Sequence, residues 1–417
     1  MQDETPAEEV ADRARSAFEL SGRLVASGRY EEALAATDEA ARLLREAGTA
    51  APSTGTVPRP RTPRGRRTGP DAGPGSPADL LAYALVLRCE ALAKLGRWDD
   101  CLRTATEAVA MARAQQTDVP FAAPLAATLL GLGTALWGLG RPQEAVVLTR
   151  ESVRLYRGPA RTDVLHRVQL ATALNLLGVV LSRLGLHVEA LKVTKESVTL
   201  HRRLAATDPA THTPGLAQAL NNLARRLSAR NRSRRALKAA QEAVALFRKL
   251  AAVNPAVHRR DLAMGLGNVA RMHVRREESL AAAQESVEIL RELDRAEPGV
   301  HGALLADSLT LFAAALADLG RYAAAVEVTV QALAMMREQA AINPVARRGD
   351  LALALAFFAR VRAEASVDLP AGLAAAEEAV GILRPLAAEV PALYAPALAE
   401  VLALEGRMRS TGAGSGG

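Results

Sequence analysis

Apolar residues along this chain fall into stripes with spacings of three and four, and short polar or glycine-bearing turns interrupt the stripes at regular intervals. The spacing predicts amphipathic helices, and the regular interruption predicts copies of one unit. A small residue just after each turn serves as an anchor: Ala33, Cys101, Ala145, Ala190, Ala236, Ser279, Ala325 and Gly372. Apart from the first gap, successive anchors lie 43 to 47 residues apart.

Seven residues beyond each anchor stands a second small residue: Ala40, Ala108, Ser152, Ser197, Ala243, Ser286, Ala332 or Ala379. The residue before it is Glu39, Glu107, Glu151, Glu196, Glu242, Glu285, Gln331 or Glu378. Twelve residues before the anchor another small position recurs, Ser21, Cys89, Gly133, Gly178, Ala224, Gly267 and Ala313, with Arg360 as the exception. Small residues facing each other let two helices approach closely while leucines fill the stripe between them, so each unit reads as a helical hairpin. Gly28, Gly96, Gly140, Gly185 and Gly320 mark a left-handed end to the first helix. Pro209, Pro255, Pro298, Pro344 and Pro391, nineteen residues after their anchors, mark the end of the second and the start of the next unit.

Small residues at these positions, with Leu220-Asn221-Asn222-Leu223-Ala224 as the strongest local match and Leu174-Asn175-Leu176-Leu177-Gly178 as a weaker one, resemble tetratricopeptide repeats. The long unit is similar to that of kinesin light chains, in a bacterial setting. The resemblance covers about residues 8 to 394 apart from one insertion. It implies an all-α, right-handed superhelical solenoid of about eight hairpins with a C-terminal capping helix. The large aromatics of the common pattern are mostly Leu, Ala or Thr here, and the terminating proline comes about two helical turns late, which longer second helices explain.

The first anchor gap is longer than the rest, and its excess falls in a Pro, Gly and Arg-rich stretch without apolar periodicity. The expected organisation is a disordered start over 1–7, repeat 1 over 8–47, a disordered insertion over 48–77, and repeats 2–8 over 78–394. A capping helix follows over 395–409 and a disordered tail over 410–417. Repeats six and eight lack the turn glycine around Arg275-Arg276 and Ser366-Val367, and Pro385 is expected to interrupt the last second helix.

At 417 residues the chain exceeds what one core organises, and its aromatic content of 3% suits thin, closely packed helices. The net charge of +7 resides in two clusters, Arg59 to Arg67 and Arg225 to Lys238, whose twelve cations exceed it, so the remainder is net acidic. The near absence of Lys beside Arg points to a GC-rich bacterial genome. No apolar run reaches the roughly 20 residues of a membrane span, and the acidic start lacks signal-peptide features, so the expected compartment is the cytoplasm.

No phosphate-loop, dinucleotide-binding, HExxH or GxSxG motif occurs, so no enzyme activity and no cofactor are expected. Cys89 and Cys101 read as small apolar fillers facing each other within one hairpin. His212, His258 and His301 recur 22 residues after their anchors. One ligand per repeat separates neighbours by roughly 10 Å, against metal bonds of about 2 Å, so they read as structural and no metal is expected.

In such an array the first helices line the concave surface. The candidate peptide-binding groove is Asn175, Arg183, Asn222, Arg225, Asn268 and Arg271, with Trp137, Val86 and Leu130 giving an apolar amino-terminal end. Asn both donates to and accepts from an extended backbone, and Arg forks onto a carboxylate. The resemblance assigns the family's peptide-contacting Asn role to Asn222. The expected function is a protein-interaction scaffold or adaptor whose partner presents a peptide with an acidic or C-terminal carboxylate element. The alternative is a ligand- or peptide-responsive sensor acting on a separate effector. Nucleic acid is disfavoured, since the Arg225 to Lys238 cluster interleaves no stacking aromatic.

Overall fold

The computed structural model describes residues 6–50, 77–114, 123–229, 233–272 and 276–414. Among these residues the chain is an all-α repeat solenoid of seventeen α-helices with no strand. Sixteen helices fall, in chain order, into the eight pairs that the anchors predict: α1 (Pro6–Ala26) and α2 (Tyr30–Ala50), α3 (Pro77–Lys94) and α4 (Trp98–Ala114), α5 (Ala123–Gly138) and α6 (Pro142–Arg157), and α7 (Val164–Arg183) and α8 (His187–Thr207). Then come α9 (Pro209–Ser228) with α10 (Ser233–Val253), α11 (Pro255–Ala270) with α12 (Arg276–Ala296), α13 (Gly302–Asp318) with α14 (Tyr322–Ile342), and α15 (Pro344–Ala365) with α16 (Leu369–Glu389). The last helix, α17 (Pro391–Gly414), packs on α16.

The chain divides into two compact units, one of Met1–Leu136 with Glu151–Gly158, the other of Trp137–Arg150 with Pro159–Gly417. In the first unit Leu43, Leu44, Leu80, Leu81 and Leu85 form one buried cluster, and Leu24, Leu34, Leu92, Cys89 and Cys101 another. In the second, Leu220, Phe247, Leu266, Leu290 and Leu309 join successive hairpins into one long core, which Leu355, Leu383, Val401 and Leu404 extend under α17.

Local chemistry explains the boundaries. Gly28, Gly96, Gly140, Gly185 and Gly320 all take positive φ between 71° and 78°, the left-handed turn that only glycine adopts without strain. Pro209, Pro255, Pro344 and Pro391 open the next first helix, where a missing N–H costs nothing. The long unit resides in the second helices: α8, α10, α12, α14 and α16 each span 21 residues. Close approach is real at the small positions. A Cβ on Gly178 would overlap the Thr194 hydroxyl, and Ser21, Cys89, Ala224 and Ala313 are at most 3% exposed. The Cys89 and Cys101 thiols each approach the other residue's carbonyl, at 3.7 and 3.3 Å, without a disulfide.

Four expectations change. Pro385 does not interrupt α16, which continues to Glu389; the bond it forgoes is to the Gly381 carbonyl, and both residues are on the exposed side, where a freed carbonyl is not buried. The cap begins at Pro391 and stays helical to Gly414, because Pro391 opens it and Val401, Leu404 and Met408 are buried; only 415–417 of the expected tail, like residues 1–5 and 51–76, lie outside the described residues. Arg360 is exposed with its guanidinium 5.0 Å from the Phe357 ring, and Ala359 makes the close contact instead. The turn there re-forms around Ser366 and Asp368, both at positive φ. Finally, α7 is long and apolar enough to cross a membrane by length and composition, though Leu170, Leu174, Leu177 and Leu181 on it are buried against neighbouring helices, as in a core helix.

A further periodicity emerges on the exposed side of the second helices. Six residues after each Glu39-type position comes an arginine: Arg45, Arg113, Arg157, Arg202, Arg248, Arg291, Arg337 and Arg384. Within the units these reach forward to the acid of the next repeat. Arg45 meets Glu107, Arg202 meets Glu242 and Arg248 meets Glu285, each at 2.6 Å, and Arg337 meets Glu378. Where Gln331 replaces the acid, Arg291 donates to its amide oxygen at 3.2 Å.

Candidate functional site

The first helices of the second unit place their remaining polar side chains on a common surface. The register that buries Leu220 and Ala224 of α9 leaves Arg225 exposed. Arg271, at the C-terminal cap of α11, and Arg183, in the last turn of α7, flank it. From the far end of the unit come Asp307 of α13 and Arg347 and Asp350 of α15. Arg183 Nη1 lies 3.6 Å from Asp350 Oδ1, so α7 and α15, eight helices apart, approach each other. Arg347 bridges the two acids, 3.2 Å from Asp350 and 3.9 Å from Asp307.

This surface is water-accessible yet hemmed in by protein, and the charges register it. Desolvation lowers the Arg225 pKa, Arg271 and Arg183 lower it further, and Asp307 and Asp350 oppose them. Desolvation and the like charge of Asp350 push Asp307 up to about 6 in spite of Arg347, Arg271 and Arg225. Four guanidinium groups therefore face two carboxylates. Arg183 and Arg347 are engaged with these acids, whereas Arg225 and Arg271 make no ion pair or hydrogen bond with any described residue. The arrangement can hold an anion: two exposed, forked cations stand beside two acids that Arg183 and Arg347 already engage.

The asparagines are placed differently. Asn222 Nδ2 donates to Asn175 Oδ1 at 3.0 Å, and Asn268 Nδ2 donates to Asn221 Oδ1 at 2.6 Å, each tying one first helix to the next. Asn221, Asn222 and Asn268 are buried and Asn175 is half-buried. Each amide keeps only part of its hydrogen-bonding capacity for a ligand. Trp137 is half-buried in the last turn of α5, and no hydrogen bond joins it to this cluster among the described residues. Asp307, Asp350 and Arg347 escaped the sequence reading because they fall outside the asparagine register on which it relied. Tyr394, buried at 4% exposure, also belongs here. Burial raises its pKa, Arg183 and Asp350 act on it in opposite directions, and a Cβ on Gly349 would overlap its hydroxyl.

The histidine series is dispersed along the chain. His258 lies 3.9 Å from Asp261 and His301 3.8 Å from Glu297, each beside an acid of its own segment. No group of three or more metal-ligating side chains occurs among the described residues.

Residues 169–249 and 125–157 match two sequence profiles, both described as tetratricopeptide repeat. No curated protein matches the chain in sequence. Among solved structures, a Rap protein complexed with competence and sporulation factor aligns with a TM-score of 0.55 at 12% identity, over 97% of this chain and 99% of that one. The apo form of RapI gives 0.54 at 10% identity, over 95% and 97%. A signal-transduction ATPase with numerous domains and a tetratricopeptide-repeat sensor, from Pyrococcus horikoshii, gives 0.52 at 14%, over 94% of this chain and 50% of that one. At these identities the likeness is one of fold.

Proposed function

We propose that this chain, a tetratricopeptide-repeat protein, is a protein-interaction module whose second unit holds a peptide with an acidic element, a side chain or a C-terminal carboxylate, on Arg225 and Arg271. The observation that carries this reading is the pair of unpaired guanidinium groups on a confined surface, with Arg183 and Arg347 already engaged by Asp350 and Asp307. Asn175 and the free valences of Asn222 and Asn268 serve the peptide backbone beside them. The likeness to a Rap protein complexed with a factor and to a tetratricopeptide-repeat sensor supports a role in which binding is read out by a separate protein.

A sensor version of the same reading is favoured by one contact. Arg183 and Asp350 join α7 to α15, and a ligand carboxylate that competes for Arg183 would release that link.

The test is selection of a displayed random octapeptide pool on the immobilised full chain, wild type beside an Arg225→Ala, Arg271→Ala variant with unchanged helicity. Acidic peptides should be enriched by wild type and lost by the variant, with affinity falling roughly 10-fold or more for each charged contact removed. Enrichment of the same peptides by both proteins would remove this surface from consideration.

A further inference from the structure

The chain contains two cysteines, and they meet. They fill the two facing small slots of one hairpin, Cys89 on α3 and Cys101 at the anchor position on α4. Elsewhere the same pair of slots holds Ser21 with Ala33, Gly178 with Ala190, or Ala224 with Ala236. An alanine would fill either slot, so close packing explains a small residue at each position and leaves a thiol at both unexplained. The repeat itself holds these slots near each other. At Gly178, the counterpart of Cys89, an added Cβ would lie 3.4 Å from the carbonyl oxygen of Ala190, the counterpart of Cys101.

Cys89 is 3% and Cys101 0% exposed, in a buried cluster with Leu24, Leu34 and Leu92. Cys101 Sγ lies 3.3 Å from the Cys89 carbonyl oxygen, and Cys89 Sγ lies 3.7 Å from that of Cys101, so both sulfurs occupy the space between the two helices. The thiols also hydrogen-bond to each other. That bond raises the pKa of Cys89 and lowers that of Cys101; burial reinforces the first shift and opposes the second. Thiols in such contact need little movement to reach the ~2 Å of an S–S bond. Gly96 and Arg97, in the turn just before α4, are exposed, so opening of the hairpin end admits an oxidant the size of a water molecule or two.

We infer that Cys89 and Cys101 form a reversible dithiol–disulfide pair, oxidised by hydrogen peroxide, that ties α3 to α4. The Cys101 thiol gives up its proton and its sulfur attacks one peroxide oxygen. The O–O bond breaks, the departing hydroxide takes up the proton as water, and a sulfenic acid remains on Cys101. Cys89 Sγ then attacks that sulfur. The S–S bond forms, the S–O bond breaks, and the Cys89 proton leaves with the oxygen as a second water. Two thiols lose two electrons in all, and one peroxide is reduced to two waters. In a reducing compartment the dithiol is the resting form and the disulfide the transient one. Both cysteines belong to the first unit and the groove arginines to the second, so this inference stands apart from the proposed function.

The experiment exposes the reduced full chain to hydrogen peroxide at neutral pH, under native conditions and in urea, and then alkylates the remaining thiols in denaturant. Trypsin cuts after Arg88, Lys94, Arg97 and Arg103, so a disulfide appears in the mass spectrum as peptide 89–94 joined to peptide 98–103. Under native conditions both thiols should be lost together, with the joined pair as the main product and dithiothreitol restoring both. Cys89→Ala, which places the residue of other repeats in the slot and should keep its helicity, should stop at the sulfenic acid, captured on Cys101 by dimedone. Thiols that survive peroxide in the native chain and react only in urea would overturn the inference. So would disulfides between chains, or independent over-oxidation of each cysteine.

Discussion

The outer side of the second helices and the inner surface of the second unit are both rich in arginine, yet they use it in opposite ways. Outside, Arg45, Arg202, Arg248 and Arg337 recur once per repeat and each finds the glutamate of the next. Inside, Arg225 and Arg271 occur off that register and make no ion pair among the described residues, while Arg183 and Arg347 share two acids. A polar residue that returns in every repeat serves the repeat, because selection for stacking acts on each copy alike. One that appears once, in a slot its counterparts fill with apolar groups, answers to something other than stacking.

The most severe test of that division is His201, a single histidine in a periodic slot. Eleven residues after their anchors, α6 and α10 bury Tyr156 and Phe247, and α8 puts His201 there at 5% exposure, its ring against Gly215. Desolvation, with the nearby His212, lowers its pKa from 6.5 to about 4. The folded state therefore favours the neutral ring. Stability is intact above the unfolded pKa, and as pH falls from 6.5 toward 4 the unfolded chain binds the extra proton and about 3 kcal/mol is lost. Urea unfolding at pH 7.5 and 4.5 should show His201→Phe losing roughly that much less than wild type on acidification. Equal losses would mean that the imidazole is not held neutral.

Next in size is the asparagine pair that proved to join helices. Asn268→Ala leaves the acceptor of Asn221, itself 1% exposed, without its donor and should cost about 1 to 3 kcal/mol. Replacing both by Leu should recover much of the loss, since neither amide then remains to be satisfied. A single variant as stable as wild type would show that the tie from Asn268 to Asn221 contributes nothing to the fold.

Arg225 should act in the other direction. Desolvation, Arg271 and Arg183 disfavour its charge more than Asp307 and Asp350 favour it, so Arg225→Met should raise the unfolding free energy by about 0.5 to 1 kcal/mol, a gain limited by its access to water. A loss of stability would show that Arg225 belongs to the fold.

The same division governs how much the sequence reveals. Hairpins, turn glycines and helix-opening prolines were legible because sterics repeats them at fixed offsets, as Gly185 and Pro209 illustrate. That Asn175, Asn222 and Arg225 lie on first helices was legible for the same reason, since the repeat fixes which helix each position falls on. Their contacts were not, because a hydrogen bond between residues 47 apart, such as Asn222 to Asn175, depends on how one repeat is rotated against the next. The approach of Arg183 to Asp350 sums small rotations over four repeats, and no local pattern encodes that sum. The arginine ladder was present at constant offset and was missed by following small residues alone.

The smallest effect is expected on that ladder. Arg248 and Glu285 are 55% and 39% exposed, and a pair so open to water has its attraction screened while two long side chains lose rotamer freedom. A double-mutant cycle with Arg248→Ala and Glu285→Ala should give a coupling of about 0.5 kcal/mol or less in low salt, and less still in 0.5 M salt. Its periodicity then reflects many weak contacts summed along the array, with Gln331 tolerated because Arg291 still has an oxygen to donate to. A coupling above about 1.5 kcal/mol, unmoved by salt, would place the ladder with the buried residues and erase the distinction between the two surfaces.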